Sequence, residues 1–417
     1  MPGIRSDSII LLIAGLLSAV QIRAIGTLFG TDLLLTLAFP IVLWKRFGSI
    51  DWRHLAPLLL LMVLWLGGQI VSDLVRDTPF VDYARGWARI ALMFTGLVTV
   101  ALISRMRIVP IMAFSVGLAI SGVIAATLFP NAYQQGQPWK FGFALPVALL
   151  TTALASSVSL RGPAGAAVRY SPLALGALNL FLNYRSMFAL LLGTSGMIAI
   201  ADAFRRRRPG ARIASPIFAA VLVIGVIAGG LLAAKTYEIL ASNGTLGPVA
   251  HEKYVQQSQG DLGVILGGRG ESLVTLRAIA DSPWLGHGSW AKDRYYVGLR
   301  VVLLRARGVN ARDVGIDSEL IPTHSYFFGS WVEAGLLGAV FWAAAFLVGA
   351  LALIRLVDCP PAAAPFVGFS LLQLLWNIPF SPFGADVRFH VTVHILCAIW
   401  VLQQSRSVEA PRRAGQQ

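Results

Sequence analysis

Pro322–Gly338 reads PTHSYFFGSWVEAGLLG, the point where the longest polar segment of the chain runs into an apolar helix. A helix capped by Thr323 would carry His324 in its first turn, where backbone N–H groups are unpaired. On a 3.6-residue period Phe328, Trp331, Gly335 and Gly338 follow His324 along one face, and Glu333 falls on the other. The two glycines would let a neighbouring helix pack closely beneath the histidine. A lone histidine is more often structural than catalytic, so its meaning depends on what surrounds it.

The surroundings are apolar. Of the 417 residues, 56% are hydrophobic and 13% charged, against about 25% charged in a soluble domain. This predicts an all-α, polytopic integral membrane protein. The net charge of +14 invites a nucleic-acid reading, but the cations sit in short loops between apolar runs, as orientation signals do. No nucleic-acid partner is expected. Apolar runs able to cross a core of about 30 Å fall near 8–28, 31–46, 55–74, 86–104, 108–129, 139–160, 171–184, 186–204, 214–234, 325–355, 364–380 and 387–404, about twelve transmembrane helices. The first is read as a retained span, because no small-residue cleavage site follows it.

With a cytoplasmic N-terminus, the inward loops hold Lys45, Arg46, Arg53, Arg105, Arg107, Arg161, Arg169, Arg205–Arg208, Arg212 and Arg355. The short outward segments hold fewer: Arg23, Arg76, Arg85, Arg89, Lys140, Arg185 and Arg388. That asymmetry places both termini inside. The expected organisation is about nine helices in 1–234, one large outward loop at 235–323 that is partly helical, and about three helices plus a cytoplasmic tail in 324–417. The loop holds two amphipathic pieces. One is Glu271–Asp281, with Leu273, Leu276 and Ile279/Ala280 on its apolar face. The other is the basic Arg300–Arg307, suited to a headgroup layer. Cys359 and Cys397 suggest neither a disulfide framework nor a metal site.

Three outward sites could carry chemistry. Asn183-Tyr184-Arg185-Ser186 is a polar break between apolar runs, and an arginine near membrane depth is costly enough to suggest function. Gly267-Gly268-Arg269-Gly270-Glu271 puts an arginine among glycines before a helix, which suits a close approach to an anion. The third is His324, with Glu319 and Asp317 as alternative bases. No Asp-x-Asp pair, no His/Cys metal spacing, no Walker glycine loop and no Gly-x-Ser-x-Gly elbow occurs. A departing phosphate would therefore rely on arginine, whose planar fork pairs with phosphate oxygens.

These residues resemble the O-antigen ligase and polymerase superfamily of bacterial membrane glycosyltransferases. His324-Ser325 followed by Gly335 and Gly338 is similar to its histidine signature. Gly268-Arg269 followed by Pro283-Trp284-Leu285-Gly286-His287-Gly288 resembles its Gly-Arg…Pro-x-x-Gly-x-Gly stretch, and Tyr184-Arg185-Ser186 its arginine before a late span. The motifs cover about 183–338. Tyr184, Leu273 and Ser325 differ from the commoner family residues.

The resemblance implies metal-independent, inverting transfer of a glycan from an undecaprenyl-diphosphate-linked donor on the periplasmic face of the inner membrane, with no cofactor. His324 would act as the general base, and Arg185 and Arg269 would clamp the diphosphate. Lys140, Arg85, Arg89 and Arg388 are further candidates for diphosphate or headgroup contact. Gly335, Gly338 and Trp331 would support the histidine by packing. Lipid A–core is the favoured acceptor. The alternatives are a growing O-antigen or exopolysaccharide chain, a protein, or transport of a lipid-linked sugar without chemistry.

Overall fold

The computed structural model describes residues 6–158, 162–207, 235–248, 251, 254–255, 270–305 and 318–407. The chain is mostly helical. Its long helices are α2 (Gly30–Arg46), α3 (Leu55–Val75), α4 (Phe80–Ser104), α5 (Ile108–Leu128), α7 (Ala144–Ser157), α10 (Arg185–Arg207), α14 (Leu336–Arg355), α15 (Ala364–Phe380) and α16 (Arg388–Ser407). Shorter helices are α1 (Ser6–Leu16), α6 (Ala132–Gly136), α8 (Gly162–Arg169), α9 (Ser171–Phe181), α11 (Gly270–Asp281), α12 (Arg294–Arg305) and α13 (Tyr326–Ala334).

Among the described residues, seven helices are long and apolar enough to cross a membrane by length and composition, fewer than the twelve runs expected. They are Leu55–Val75, Phe80–Ser104, Ile108–Leu128, Trp139–Ser157, Arg185–Ala203, Leu336–Asp358 and Pro361–Phe380. The run expected at 214–234 lies outside the described residues. The remaining differences have physical reasons. The 8–28 run is not one helix: α1 ends, a 3-10 turn covers Leu17–Ala19, and an antiparallel hairpin pairs Gln21–Arg23 with Thr27–Phe29. An all-α reading therefore misses a small sheet. Helix α2 has 17 residues, a rise of about 25 Å, and α9 has only 11. Helix α16 is long enough, but Arg388, His390, His394, Gln403 and Gln404 lower its hydropathy. The 325–355 run is two helices, broken at Gly335.

Charge sorts the bundle into two ends. At one end Asp7 of α1 takes Arg46 at 3.0 Å, Arg107 at 2.5 Å and Arg105 at 3.9 Å, while Arg169 pairs with Asp202 at 2.8 Å. At the other end Arg388 is locked to Asp32, and Arg89 to Glu333. The sides of the bundle are apolar, with Leu37 73%, Leu60 61% and Leu347 61% exposed.

The second end is built around Asp73, a carboxylate only 2% exposed near the C-terminus of α3. It accepts from Trp87 Nε1 at 2.8 Å, from Ser289 N–H at 2.6 Å and from Ser289 Oγ at 2.7 Å. Gln69 in turn donates to Ser289 Oγ at 2.9 Å. Gly286 (φ +81°) and Gly288 (φ +85°) turn the chain so that His287 N–H reaches Val332 O at 2.7 Å and Gly288 N–H reaches Glu333 O at 3.1 Å. Trp331 Nε1 donates to Pro283 O at 2.8 Å. The Pro283–Gly288 segment is thus sewn to α3 and α13 by backbone groups, which requires glycine. A Cβ on Gly286 would lie 2.6 Å from Gly335 N, and one on Gly335 (φ +64°) would lie 2.0 Å from Trp284 O. Gly335 ends α13 and starts α14 in one residue. The expected continuous face from His324 to Gly338 therefore does not exist. Gly338 instead seats the first turn of α14 against α13, since its Cβ would lie 2.4 Å from Ser330 O.

The amphipathic pieces form helices with different faces. In α11 the buried residues are Val274, Thr275, Ala278 and Ile279, while Leu273 and Leu276 are 47% and 48% exposed. Packing against α12 and α13 buries Val274 and Ala278, four residues apart on one helix side.

Gly286→Ala is expected to destabilise the protein by about 1–3 kcal/mol through backbone strain alone, with the steric clash adding to it. Gly298→Ala, where a Cβ meets nothing within 4 Å, should stabilise α12 by up to about 1 kcal/mol. Thermal unfolding of the purified protein in detergent would show the two shifts in opposite directions.

Candidate functional site

The cap of α13 decides where the histidine points. Ser325 is extended (φ −154°, ψ 139°), and its Oγ accepts from Phe328 N–H at 3.1 Å while donating to Ile378 O at 2.8 Å. Ser325, rather than Thr323, is the N-cap, because an extended backbone lets a short hydroxyl reach the third helical N–H. His324 consequently precedes the helix. Its Nδ1 instead faces Glu271 Oε2 at 3.6 Å, with the imidazole 64% exposed.

Glu271 stands in the first turn of α11 and also takes the Arg300 guanidinium of α12. Thr275 Oγ1 holds the segment in place by donating to Pro322 O at 2.7 Å. At 3.6 Å the contact between ring and carboxylate is electrostatic rather than a hydrogen bond. In the sequence Glu271 is merely the last residue of a glycine-rich turn. Its relation to His324 comes from α11 packing on α13.

Two cavities lie at this end of the bundle. The first, about 240 Å³, is lined by Thr323 and Ser325, the neighbours of His324, and by Arg89, Glu333 and Trp290. The second, about 540 Å³, lies under the Gln21–Phe29 hairpin and is lined by Arg85, Arg89, Arg388, Trp290 and apolar side chains of the hairpin and α4. Arg89 and Trp290 form the wall common to both. Glu333, expected to point away from the histidine, pairs with Arg89. The Arg89 guanidinium also lies 5.0 Å from the Trp290 ring and 5.4 Å from that of Phe383.

The structure thus gathers Arg85, Arg89 and Arg388 of the expected phosphate-contacting set into one cavity. Their commitments differ. Arg388 is 2% exposed and forked onto Asp32, with Nε to Oδ1 at 2.8 Å. It holds α16 to α2, and its charge is already met. Arg85 donates to the carbonyl of Ile25 and has no carboxylate partner among the described residues.

The other expected residues lie elsewhere. Arg185 follows Asn183, whose φ of +57° turns the chain into α10, and sits 3.9 Å above the Tyr237 ring. Burial pushes the Tyr237 phenol up, and Arg185 offsets part of that. Lys140 lies in a π-helical turn, Trp139–Phe143, with Nζ 4.8 Å from the Phe141 ring. That turn is tied to the Arg185 region through Trp139 Nε1, which donates to Asn179 Oδ1 at 3.0 Å. Neither cation lines the two cavities described above. Glu319 pairs with the exposed Arg294. Arg269 and Asp317 lie outside the described residues. Beneath the histidine lobe, burial and the neighbouring Asp281 push the Tyr296 hydroxyl up to about 12, so it serves as a neutral donor to Asp281 at 2.9 Å. Among the described residues no group of three or more His, Cys, Asp or Glu side chains could hold a metal ion.

No family model, no curated protein and no solved structure matches the chain. The geometry offers an exposed imidazole facing a carboxylate, near a cavity lined by Arg89, Glu333 and the hydroxyls of Thr323, Ser325 and Ser330 that shares a wall with a larger one whose charged groups are three arginines. Such a site suits an anionic amphiphile and a hydroxyl that must lose a proton.

Arg388→Ala is expected to destabilise the fold by about 3–5 kcal/mol, because it leaves Asp32 buried and unpaired. Removing both charges in Arg388→Met/Asp32→Leu should recover most of that loss. The yield of monodisperse protein and its melting temperature would read both.

Proposed function

We propose that the chain is a membrane glycosyltransferase that moves a glycan from an undecaprenyl-diphosphate donor to an acceptor hydroxyl, in the manner of an O-antigen ligase. The observation that carries this reading is the His324–Glu271 pair, where the histidine's neighbours Thr323 and Ser325 line a cavity that shares a wall with an arginine-lined one. The end of the bundle bearing this site is taken as the periplasmic face of the inner membrane. The other end holds the larger share of loop cations, as the positive-inside rule asks of a cytoplasmic side.

In the reaction, an acceptor O–H attacks the anomeric carbon and His324 Nε2 takes its proton. The bond from the anomeric carbon to the phosphate oxygen breaks, and undecaprenyl diphosphate leaves with the electron pair. Glu271, 3.6 Å from Nδ1, stabilises by its charge the imidazolium formed. Arg185 and Arg269 are assigned to the leaving diphosphate, where a guanidinium fork matches the developing charge. Lipid A–core is the proposed acceptor. A polymerase acting on a growing glycan would share every one of these steps and differ only in the hydroxyl presented.

His324→Ala is expected to lower transfer by about 10²–10⁴-fold, with expression and melting temperature close to wild type. Glu271→Gln, which keeps the shape but withdraws the charge, should fall between the two. Arg185→Ala should lower turnover more than donor binding. The assay is transfer in membranes from a deletion strain, and normal turnover in a well-expressed His324→Ala protein would overturn the reading. Glycan analysis of that strain separates the acceptors: an uncapped core marks a ligase, and single repeats mark a polymerase.

A further inference from the structure

We infer that the Asp7 end of the bundle holds a binding site for an anionic phospholipid of the surrounding leaflet, with Arg105, Arg107 and Arg46 grouped around its phosphate. The site lies at the opposite end from His324 and does not rest on the proposed transfer reaction.

Three observations carry it. The first is charge. Asp7, only 5% exposed, is the one carboxylate among the described residues that these three guanidinium groups share, so two positive charges are left over. Orientation signals need number only and have no reason to converge on one buried group. The second is an open fork. Arg107 donates to Asp7 Oδ2 at 2.5 Å and to Ser104 O at 3.3 Å, and Arg46 donates to Asp7 Oδ1 and to Ile103 O at 3.0 Å each. Arg105 stays 3.9 Å from Asp7, past hydrogen-bond range, with its side chain 52% exposed. Its guanidinium makes no hydrogen bond among the described residues, and a planar fork in that position can take two phosphate oxygens. The third is the turn. Arg105 (φ +51°) and Met106 (φ +53°) are successive left-handed residues, neither of them glycine, a conformation that persists only where the surroundings hold it. Ser104 Oγ holds it by accepting from Met106 N–H at 3.2 Å. The turn brings Arg105 and Arg107, two residues apart, to the same carboxylate.

The surroundings fit a lipid better than a soluble anion. Trp44 of α2, 90% exposed, lies two residues before Arg46, and exposed tryptophan marks the headgroup level of a bilayer. From Asp7, the exposed Ile10 and Ile13 continue along α1, and α5, which packs on α1, carries Val109, 58% exposed, in its first turn. An acyl chain whose phosphate sits on Arg105 therefore has apolar helix surface to lie on. A net-negative headgroup such as phosphatidylglycerol is favoured over phosphatidylcholine, whose choline cation the surplus charge repels.

The test is native mass spectrometry of the full-length protein in detergent, titrated with phosphatidylglycerol or with phosphatidylcholine, which resolves the first lipid bound. Arg105→Gln is expected to weaken the first phosphatidylglycerol by about fivefold, the factor for one arginine at a charged headgroup, and to leave phosphatidylcholine binding and the melting temperature where they are. Arg53→Gln, which alters a still more exposed arginine outside the cluster, should bind both lipids as wild type does. Unchanged phosphatidylglycerol affinity in folded Arg105→Gln, an equal loss in Arg53→Gln, or an equal loss of phosphatidylcholine would each overturn the inference. Glycerol 3-phosphate in excess should not displace the lipid, because it lacks the acyl chains. If it does, the site takes a soluble phosphate and the lipid assignment fails.

Discussion

A buried carboxylate without water must be given hydrogen bonds, and that need shapes the end of this bundle. Asp73 takes its donors from α4 and from Ser289, a residue 216 positions away in sequence. Each bond ties a chain segment to α3, and losing one would strand a charge in a low-dielectric interior. Gly86 leaves the space that Ser289 occupies, since a Cβ there would lie 2.0 Å from Ser289 Oγ. With Ser289 fixed, Trp290 is set against Arg85 and Arg89, and the Pro283–Gly288 strap is fixed on α13. The histidine, the two cavities and the wall between them all follow from that anchoring.

The arginines show how one residue type is put to different uses by its surroundings. Arg46 and Arg107 converge on Asp7, and Arg388 on Asp32, as pins between helices. Arg89 is half pin and half wall, paired with Glu333 yet left with an unmet Nε. Arg85 alone of the cavity arginines keeps its charge uncompensated by any described carboxylate. Below them a cluster of Trp65, Phe341, Trp342, Tyr326 and Phe383 packs with ring centroids about 5–6 Å apart, Trp65 stacked on Phe341 and Trp342 edge-on to Phe383. This gives the wall a rigid floor.

Much of this was legible in the residues. Long apolar runs announced helices, because a segment that cannot solvate its backbone must bond it internally. The alternation of cations between loops announced two unlike ends. Gly335 signalled close packing, Gly286 and Gly288 a break in the chain, and each of the three occupies positive φ. Other features were not legible, for identifiable reasons. Hydropathy does not distinguish a helix from a hairpin in an apolar run, so Gln21–Phe29 was read as part of a span. Periodicity does not reveal which side of a short amphipathic helix meets a neighbour, so Leu273 and Leu276 were placed inward although they lie outside. Thr323 and Ser325 are equally good caps by type, and only the bond from Ser325 to Ile378 O chose between them.

By itself, then, the sequence determined that this is a mostly helical chain with long apolar runs, and that a glycine lets backbones pack closely after His324. These are properties of composition and local spacing, and they hold whatever the partners are. The tertiary structure alone decided that Glu271 faces His324, that Asp32 and Glu333 occupy two of the three cavity arginines, and that Arg85 meets no carboxylate among the described residues. Such outcomes depend on which side chains from distant segments compete for the same charge. A carboxylate 356 residues away from Arg388 has no local signature, and only packing brings it to the guanidinium.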